Sequence, residues 1–402
     1  MKVLMINIVC GIRSTGRICT DLASALEQQG HEVKIAYGRE IVPDNFKRLA
    51  VKIGNDFDVK MHGLQSRVLD NAGWGSKKAT QKFIQWVKKY DPDVIHLHNI
   101  HGYYINIPIL FDYLATTRAK IIWTLHDCWA FTGHCSYFSA AGCEKWVQGC
   151  HNCALKKEYP QSLFLDRSKR NYERKQKIFT TLKSIQLITP SEWLTSVVKK
   201  SFLKGYPIST IPNGIDLSQY YKIDSSFRKK YNLENKKILL GVASAWHVRK
   251  GLDDFVKLST ILSDDFQIVL VGLSEEQIRN LPTSILGLKG TNSIKELVEV
   301  YSSADVFLNL SVEETMGLTT VESMACGTPA IVYNATALPE IVNDTSGRIV
   351  MPHNLDELVQ AINYVIENPE HYNPRKRAEE YSKEIRFGEY IEVYKSLMET
   401  IE

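Results

Sequence analysis

The chain has 402 residues, of which 44% are apolar and 23% are charged, with a net charge of +4. This is ordinary globular usage, and it excludes a disordered, collagen-like or fibrous chain. The length predicts two or three domains. The apolar run from Val3 to Val9 is too short for a membrane span and lacks the layout of a signal peptide. We therefore expect a buried first strand in a cytoplasmic protein.

Charge is distributed unevenly along the chain. Residues 1–205 carry 30 Lys and Arg against 17 Asp and Glu, a net charge of +13, whereas residues 206–402 carry 19 against 28, a net charge of −9. A basic half beside an acidic half indicates two domains with different partners, although surface charge can also drift without function. A basic face suits nucleic acid, anionic lipid or a phosphorylated substrate.

The first half alternates short apolar runs with helical patterns. Strands are predicted at 2–9, 32–36, 93–98, 120–125 and 185–189. Helices are predicted after the glycine-bearing loop Gly11–Arg17, over a polar stretch at 58–90, at 105–117 and 163–183, and from Pro190, with Ser191 as a candidate cap. A cysteine-rich excursion occupies 127–155.

The second half repeats this alternation. Strands are predicted at 237–243, 266–272, 305–310, 329–333 and 347–350, and helices after Gly251, at 294–303, 317–326, 355–367 and 386–401. Two such series predict an α/β protein with two doubly wound parallel sheets. Ligands bind such sheets at the carboxyl ends of the strands.

The most informative motif is the segment 313–329. Glu314 and Glu322 are eight positions apart, and Gly317 lies between them where a loop becomes a helix. The backbone N–H groups that follow Gly317, those of Leu318 and Thr319, form a helix N-terminus that suits an anion. The segment therefore offers three groups for a ligand. The Glu314 carboxylate can accept hydrogen bonds from a sugar, the helix N-terminus can bind a diphosphate, and the Glu322 carboxylate can accept hydrogen bonds from a ribose. The alternative is a solvated acidic helix start.

With its neighbours, this motif resembles the retaining nucleotide-sugar glycosyltransferases of family four. Matching segments are Gly11 and Gly16 in the first loop, Thr124–Asp127, Pro190–Glu192, Pro212–Asp216, Arg249–Gly251 and the Glu314/Glu322 segment. The stretch from Trp123 to Cys153 is further similar to a bacterial subgroup that builds surface polysaccharides. The resemblance implies a GT-B fold, which consists of two facing Rossmann-like domains with an interdomain cleft.

The resemblance also implies a domain plan. Residues 1–205 would form the acceptor-side domain with an insertion at 127–155, and 206–380 the nucleotide-sugar-binding domain. Residues 381–402 would return as a helix to the first domain. Apolar groups recur at helical spacing there, at Tyr390, Ile391, Val393, Tyr394, Leu397, Met398 and Ile401. A helix that only caps the second domain is the alternative.

The site residues implied by the resemblance fall into two groups. His126 and Glu314 would be catalytic, with His126 contacting the donor sugar; a packed core histidine is the alternative. Donor binding would involve Gly16, Arg249, Lys250, Gly317, Leu318, Thr319 and Glu322. Lys250 would reach the diphosphate. The family's usual second basic residue is replaced here by Ala245, and Arg249 is a candidate substitute.

Two clusters, one of histidines and one of cysteines, contain side chains that can bind metals, and the sequence leaves two roles open for each. His96, His98 and His101 cluster at the end of the predicted strand 93–98 and suit either a core or an acceptor cleft. Cys135, Cys143, Cys150 and Cys153 end in a C-x-x-C pair, half of a usual structural zinc site, with His134 and His151 as possible replacements. Four buried thiols are the alternative. No catalytic cofactor is expected.

The predicted function is transfer of a sugar from a nucleoside-diphosphate sugar to a growing glycan, such as a lipid-linked polysaccharide or O-antigen precursor. The basic run 167–177 is either a solvated helix face or a peripheral contact with anionic membrane at the inner face. Alternatives are a nucleotide-sugar epimerase or hydrolase on the same fold, or a zinc-containing basic binding module. No nucleic-acid motif is present in the sequence.

Overall fold

The computed structural model describes residues 1–399, which form two compact units. Unit 1 comprises Met1–Pro212 and the chain from Phe387 onward, and unit 2 comprises Asn213–Arg386. Each unit is built around one sheet in which every pair of neighbouring strands is parallel. The predicted pair of doubly wound parallel sheets is confirmed.

The sheet of unit 1 has seven strands among the described residues, in the order β3-β2-β1-β4-β5-β6-β7. The strands are β1 (Lys2–Asn7), β2 (Glu32–Tyr37), β3 (Ala50–Lys52), β4 (Val94–Leu97), β5 (Lys120–Thr124), β6 (Gln186–Thr189) and β7 (Ile208–Thr210). The helices are α1 (Arg13–Gln28), α2 (Asp56–Leu69), α3 (Lys77–Tyr90), α4 (Ile107–Leu114), α5 (Ser168–Phe179) and α6 (Glu192–Val198).

The sheet of unit 2 has six strands within the described range, in the order β10-β9-β8-β11-β12-β13. The strands are β8 (Lys237–Val242), β9 (Phe266–Val271), β10 (Ile285–Leu288), β11 (Val306–Asn309), β12 (Ala330–Tyr333) and β13 (Gly347–Val350). The helices are α7 (Phe227–Lys230), α8 (Leu252–Leu258), α9 (Glu275–Asn280), α10 (Ile294–Ser303), α11 (Leu318–Ala325), α12 (Leu355–Glu367), α13 (Pro374–Glu379) and α14 (Lys383–Glu399), which continues into unit 1.

The central strands are buried on both faces. Every residue of β4, β11 and β12 is buried, as expected where helices cover both sides of a parallel sheet. The strands β3, β7 and β10 are not predicted from the sequence, because β3 and β7 have only three residues and a glycine interrupts the apolar run of β10. Within residues 1–399, no helix is both long and apolar enough to cross a membrane.

The single polar helix predicted at 58–90 is wrong: the segment forms α2 and α3, separated by a loop. Helix α2 ends at Leu69, and the next residue, Asp70, has a left-handed backbone that caps the helix. His62 lies on the buried side of α2, and its ring accepts hydrogen bonds at Nε2 from the N–H groups of Gly73 (3.2 Å) and Gly75 (3.1 Å). The histidine thereby supplies the loop with an acceptor for its buried amides.

Helix α14 packs through two tyrosines inside unit 1. Tyr390 and Tyr394 are fully buried. The hydroxyl of Tyr394 is hydrogen bonded to Nδ1 of His96 (2.6 Å), and Nε2 of His96 is hydrogen bonded to Oγ1 of Thr124 (2.7 Å). His96 is therefore a packed core histidine. Met398 is 39% exposed, and Ile401 lies outside the described residues.

Removing the Tyr394 hydroxyl should destabilise unit 1. In Tyr394→Phe, the buried Nδ1 of His96 loses its partner, which costs about 1–3 kcal/mol. Six of the seven tryptophans lie in unit 1, so urea unfolding followed by tryptophan fluorescence mainly reports this unit. Met398→Ala, on the exposed side of the same helix, is the control. Equal unfolding free energies for Tyr394→Phe and the wild type would contradict the assignment.

The buried His62 should make stability depend on pH. Burial lowers the pKa of His62 from 6.5 to about 4. Between these values the unfolded chain binds the additional proton, so stability is lost as the pH falls from about 6.5 towards 4. In His62→Gln, which keeps an acceptor but does not titrate, the loss between pH 7 and pH 4.5 should be smaller by about 2–3 kcal/mol. The same pH dependence in both proteins would refute this role.

Candidate functional site

Two neighbouring strands of unit 2 bring a lysine and a glutamate together at the carboxyl edge of the sheet. Lys250 ends a short helical turn after β8, and Glu314 lies in the loop between β11 and α11. Strands β8 and β11 are adjacent where the strand order reverses, the position at which open α/β sheets bind ligands. The Lys250 ammonium forms an ion pair with the Glu314 carboxylate, and both side chains are largely buried.

A glycine allows the two loops to approach this closely. Gly251 has φ +76°, and a Cβ at this position would lie 2.2 Å from the carbonyl oxygen of Leu310. The loops are also joined by hydrogen bonds: the N–H of Val312 donates to Arg249 O (2.9 Å), and the Arg249 guanidinium donates to Glu313 O (3.0 Å). Arg249 thus holds the Glu314 loop in place.

Helix α11 begins directly after this loop. Gly317, at φ +94°, is its N-terminal cap, and Leu318 and Thr319 are its first residues. The first N–H groups of an α-helix have no acceptor within the helix, so this end favours an anion. The first turn of α11 contains no acidic side chain, so no carboxylate there opposes an anionic ligand.

Glu322 occupies the second turn of α11 and is buried. Its Oε2 accepts a hydrogen bond from the Tyr301 hydroxyl (2.9 Å). Burial and the neighbouring Glu322 charge raise the pKa of Tyr301 well above its ordinary value, so the hydroxyl remains a donor. No sequence pattern points to Tyr301, which lies 21 positions away in α10.

A second polar cluster lies in unit 1, where residues following β4 and β5 meet. Nδ1 of His98 and Nε2 of His126 are hydrogen bonded at 3.0 Å, and the two rings are stacked. Burial lowers the pKa of His126 to about 4. His126 is therefore neutral at pH 7 and can donate or accept one hydrogen bond at each ring nitrogen. The two residues also line a small cavity with His101 and Asp127.

His101 and Asp127 are hydrogen bonded to each other beside these histidines. Nε2 of His101 lies 2.9 Å from Oδ2 of Asp127, and its Nδ1 is hydrogen bonded to the Tyr159 hydroxyl (3.1 Å). Burial acts to raise the pKa of Asp127, but the His101 charge and hydrogen bond, with the Trp129 N–H, outweigh it and the pKa is lowered. His98 and His101 thus line the same cavity as His126, whereas His96 lies against the His98 ring (centroids 4.0 Å apart) but does not line the cavity.

Gly16 lies within α1, whereas the sequence suggested a loop. A Cβ there would lie 3.0 Å from Cγ2 of Val9 and 3.2 Å from the backbone nitrogen of Gly11. The glycine therefore lets the first turn of α1 pack against the loop after β1. Because Gly16 and His126 belong to unit 1 and the other implied residues to unit 2, a shared cleft stays a prediction.

The basic run 167–177 is not a uniformly solvated face. Lys175 is fully buried, and its ammonium donates to the carbonyl oxygens of Trp129 (2.6 Å) and Thr132 (3.0 Å). It also lies 3.5 Å from the centre of the Trp129 ring. Burial lowers the pKa of Lys175 to about 7. The Arg174 guanidinium stacks on Trp74, so two of the six positive groups hold the fold.

The cysteine excursion shows a partial fit to a metal site. Cys135 and Cys153 are hydrogen bonded through their thiols, which lowers the pKa of Cys153 to about 7. The Gly133 N–H donates to Sγ of Cys150 (3.1 Å). Nδ1 of His134 is bound to Asp70 (2.6 Å), while its buried Nε2 has no partner. Among residues 1–399, no three such side chains form a group that could hold a metal ion.

The fold and these loops define a class: two Rossmann-like units, each with polar residues at the carboxyl edge of its sheet, as in GT-B glycosyltransferases. The model described as Glycosyltransferase Family 4 matches residues 15–219, and that described as Glycosyl transferases group 1 matches 224–385. The first match spans half of the chain. The chain belongs to this glycosyltransferase family, which confirms the resemblance and the enzyme class.

Similar proteins include WcaC of Escherichia coli (strain K12), whose name assigns it as a glycosyl transferase to colanic acid biosynthesis. It is 22% identical over 324 residues, covering 76% of this chain and 77% of WcaC. A second similar protein is the N,N'-diacetylbacillosaminyl-diphospho-undecaprenol alpha-1,3-N-acetylgalactosaminyltransferase of Campylobacter jejuni. It is 25% identical over 235 residues, covering 54% of this chain and 61% of the Campylobacter chain. The fold also matches that of Anabaena HepE, which was solved in complex with UDP-glucose. The TM-score is 0.68 at 16% identity, and the match covers 98% of this chain and 100% of HepE.

Structural zinc stays a prediction that elemental analysis can decide. If the cysteine excursion binds zinc, purified protein should contain about one zinc per chain. Removing the metal with a chelator should then lower the melting temperature, because bound metal stabilises the folded state. Protein that contains no zinc after expression in zinc-supplemented medium, and whose melting temperature is unaffected by added zinc, would exclude the site.

Proposed function

We propose that this protein is a retaining glycosyltransferase that transfers a sugar from a nucleoside-diphosphate sugar to a growing glycan. The observation that carries the proposal is the pairing of Lys250 with Glu314 beside the N-terminus of α11. A cation and a set of unbonded N–H groups suit a diphosphate, and the adjacent carboxylate suits sugar hydroxyls.

The proposed donor contacts follow from these positions. Lys250 and the N–H groups of Leu318 and Thr319 bind the diphosphate and stabilise the charge that develops as the sugar–oxygen bond breaks. Glu314 accepts hydrogen bonds from the sugar. Glu322, oriented by Tyr301, accepts hydrogen bonds from the ribose hydroxyls. These groups complement a leaving diphosphate without a catalytic cofactor.

His126 is the proposed catalytic group of unit 1. Because it is neutral, it can hydrogen bond to a sugar hydroxyl without adding a positive charge near the reaction centre. His98 fixes the orientation of its ring through the 3.0 Å hydrogen bond. Retention of configuration is proposed from the family resemblance: the departing phosphate accepts the proton of the attacking hydroxyl on the same face of the sugar.

The proposed acceptor is a lipid-linked polysaccharide or O-antigen precursor, used at the cytoplasmic face of the membrane. The support comes from the names of the similar proteins. WcaC is named for colanic acid biosynthesis, and the Campylobacter transferase is named for a diphospho-undecaprenol acceptor. The donor panel should begin with UDP-sugars, because HepE was solved with UDP-glucose.

A thermal-shift panel of nucleotide sugars should identify the donor, because a ligand of the folded state raises the melting temperature. Lys250→Ala should weaken binding of the identified donor about 10- to 100-fold, the equivalent of losing a charge-assisted hydrogen bond. Lys289→Ala, which removes an exposed lysine paired with Glu275, should bind as the wild type does. Unchanged donor affinity in Lys250→Ala would refute the diphosphate assignment.

Product analysis should establish the reaction. With donor and acceptor, NMR of the product should show the anomeric configuration of the donor; inversion would refute the retaining mechanism. With donor alone, sugar release or a changed sugar as the main product, and no transfer, would instead identify a hydrolase or an epimerase.

A further inference from the structure

Helix α2 presents an apolar stripe to the solvent. The exposed fractions are 70% for Phe57, 48% for Met61, 55% for Leu64 and 37% for Val68. At 100° per residue these four side chains fall within an arc of about 60°, and they extend over about 16 Å of the helix axis. We call this stripe the outer face of α2.

The fully buried positions of α2 are polar, unlike those of an ordinary surface helix. Its buried side carries His62 and Ser66, which are 2% and 0% exposed, whereas a surface helix normally buries its apolar stripe and exposes its polar one. Packing inside unit 1 therefore does not explain the apolar residues of the outer face. Contiguous exposed apolar surface of this kind marks an interaction site.

A neighbouring segment enlarges this apolar surface. The N–H of Leu163 donates to the carbonyl oxygen of Arg67 (2.8 Å), which places the segment 163–165 against the C-terminal turn of α2. Leu163, Phe164 and Leu165 are 48%, 68% and 40% exposed. Two chain segments remote in sequence thus expose apolar side chains near each other.

The charges around this surface are mainly positive. Lys60 and Arg67 are exposed beside the stripe, and Lys169 and Arg170 are exposed on the first turn of α5. That turn lies near the end of α2, because the Arg167 N–H donates to Oδ2 of Asp70 (2.7 Å).

The acidic groups of α2 are engaged locally. Asp56 forms an ion pair with Lys52, and Asp58 closes the capping box with Asn55. The carboxylate of Asp166, next to the segment 163–165, accepts the N–H groups of Cys153 and Ser168. Glu173 is exposed further along α5.

We propose that the outer face of α2 and the segment 163–165 dock unit 1 onto an anionic lipid surface. Phenylalanine and leucine side chains enter the boundary between headgroups and acyl chains, while Lys60, Arg67, Lys169 and Arg170 meet lipid phosphates. Helices with this combination of aromatic, aliphatic and basic residues lie in the plane of the membrane interface. Docking goes beyond the transfer reaction proposed above and requires neither donor nor acceptor.

Vesicle co-sedimentation with the full chain tests the proposal. Vesicles of phosphatidylcholine with phosphatidylglycerol should bind the protein, and vesicles of phosphatidylcholine alone should bind it at least about tenfold more weakly. The double variant Phe57→Ser, Leu64→Ser should lose at least about tenfold in affinity for the anionic vesicles. Its melting temperature should stay near that of the wild type, because both side chains are exposed.

A matched pair of single variants separates the face from general surface hydrophobicity. Leu64→Ser and Ile261→Ser remove aliphatic groups of nearly equal exposure, 55% and 52%, and Ile261 lies in unit 2. Only Leu64→Ser should weaken vesicle binding. Donor-induced stabilisation, measured on the same proteins, should be unchanged, so failure of docking and failure of the transferase assignment can be distinguished.

Three results would overturn the docking proposal. The first is absence of binding to anionic vesicles, and the second is equal binding by the wild type and the double variant. The third is a dimer of the wild type, seen by analytical ultracentrifugation without lipid, that the double variant dissociates. That result would identify a second copy of the chain as the occupant of the outer face.

Discussion

The parallel direction of all paired strands is the constraint on which both candidate sites depend. In a parallel sheet every strand ends at the same edge, so the loops that follow neighbouring strands meet there. In unit 2 this brings Lys250, after β8, against Glu314, after β11. In unit 1 it brings His98, after β4, against His126, after β5. Antiparallel pairing would send the paired loops to opposite edges.

Much of the fold could be predicted because central parallel strands are short continuous apolar runs. The runs at β8 and β11 are of this kind, and each is followed by a helical pattern. The break between α2 and α3 could not be predicted, because it depends on His62 accepting two backbone hydrogen bonds from a loop 11–13 residues later. Such a contact leaves no periodic signal, and a buried histidine looks like any polar residue in a helical stretch.

Part of the candidate site could likewise be predicted from the sequence, and part could not. The Glu314–Glu322 segment could be recognised because a loop, a glycine and a helix start occur together in one short stretch. Tyr301 and the pairing of Lys250 with Glu314 depend on contacts between remote segments, so spacing alone does not reveal them. Lys175 cannot be told from its basic neighbours for the same reason. The sequence shows its charge, but not the two carbonyl oxygens and the indole ring that its ammonium contacts.

The buried Lys175 also sets an order in which unit 1 can assemble on the ribosome. The lysine ammonium binds the carbonyl oxygens of Trp129 and Thr132. Both residues lie just after Asp127, the hydrogen-bond partner of His101. Synthesis delivers Trp129 and Thr132 more than forty residues before the lysine that binds their carbonyl oxygens. The polar cluster of unit 1 therefore reaches its final form only after α5 has been synthesised and has packed against it. Until then this apolar and cysteine-rich segment of the nascent chain is exposed and prone to aggregation.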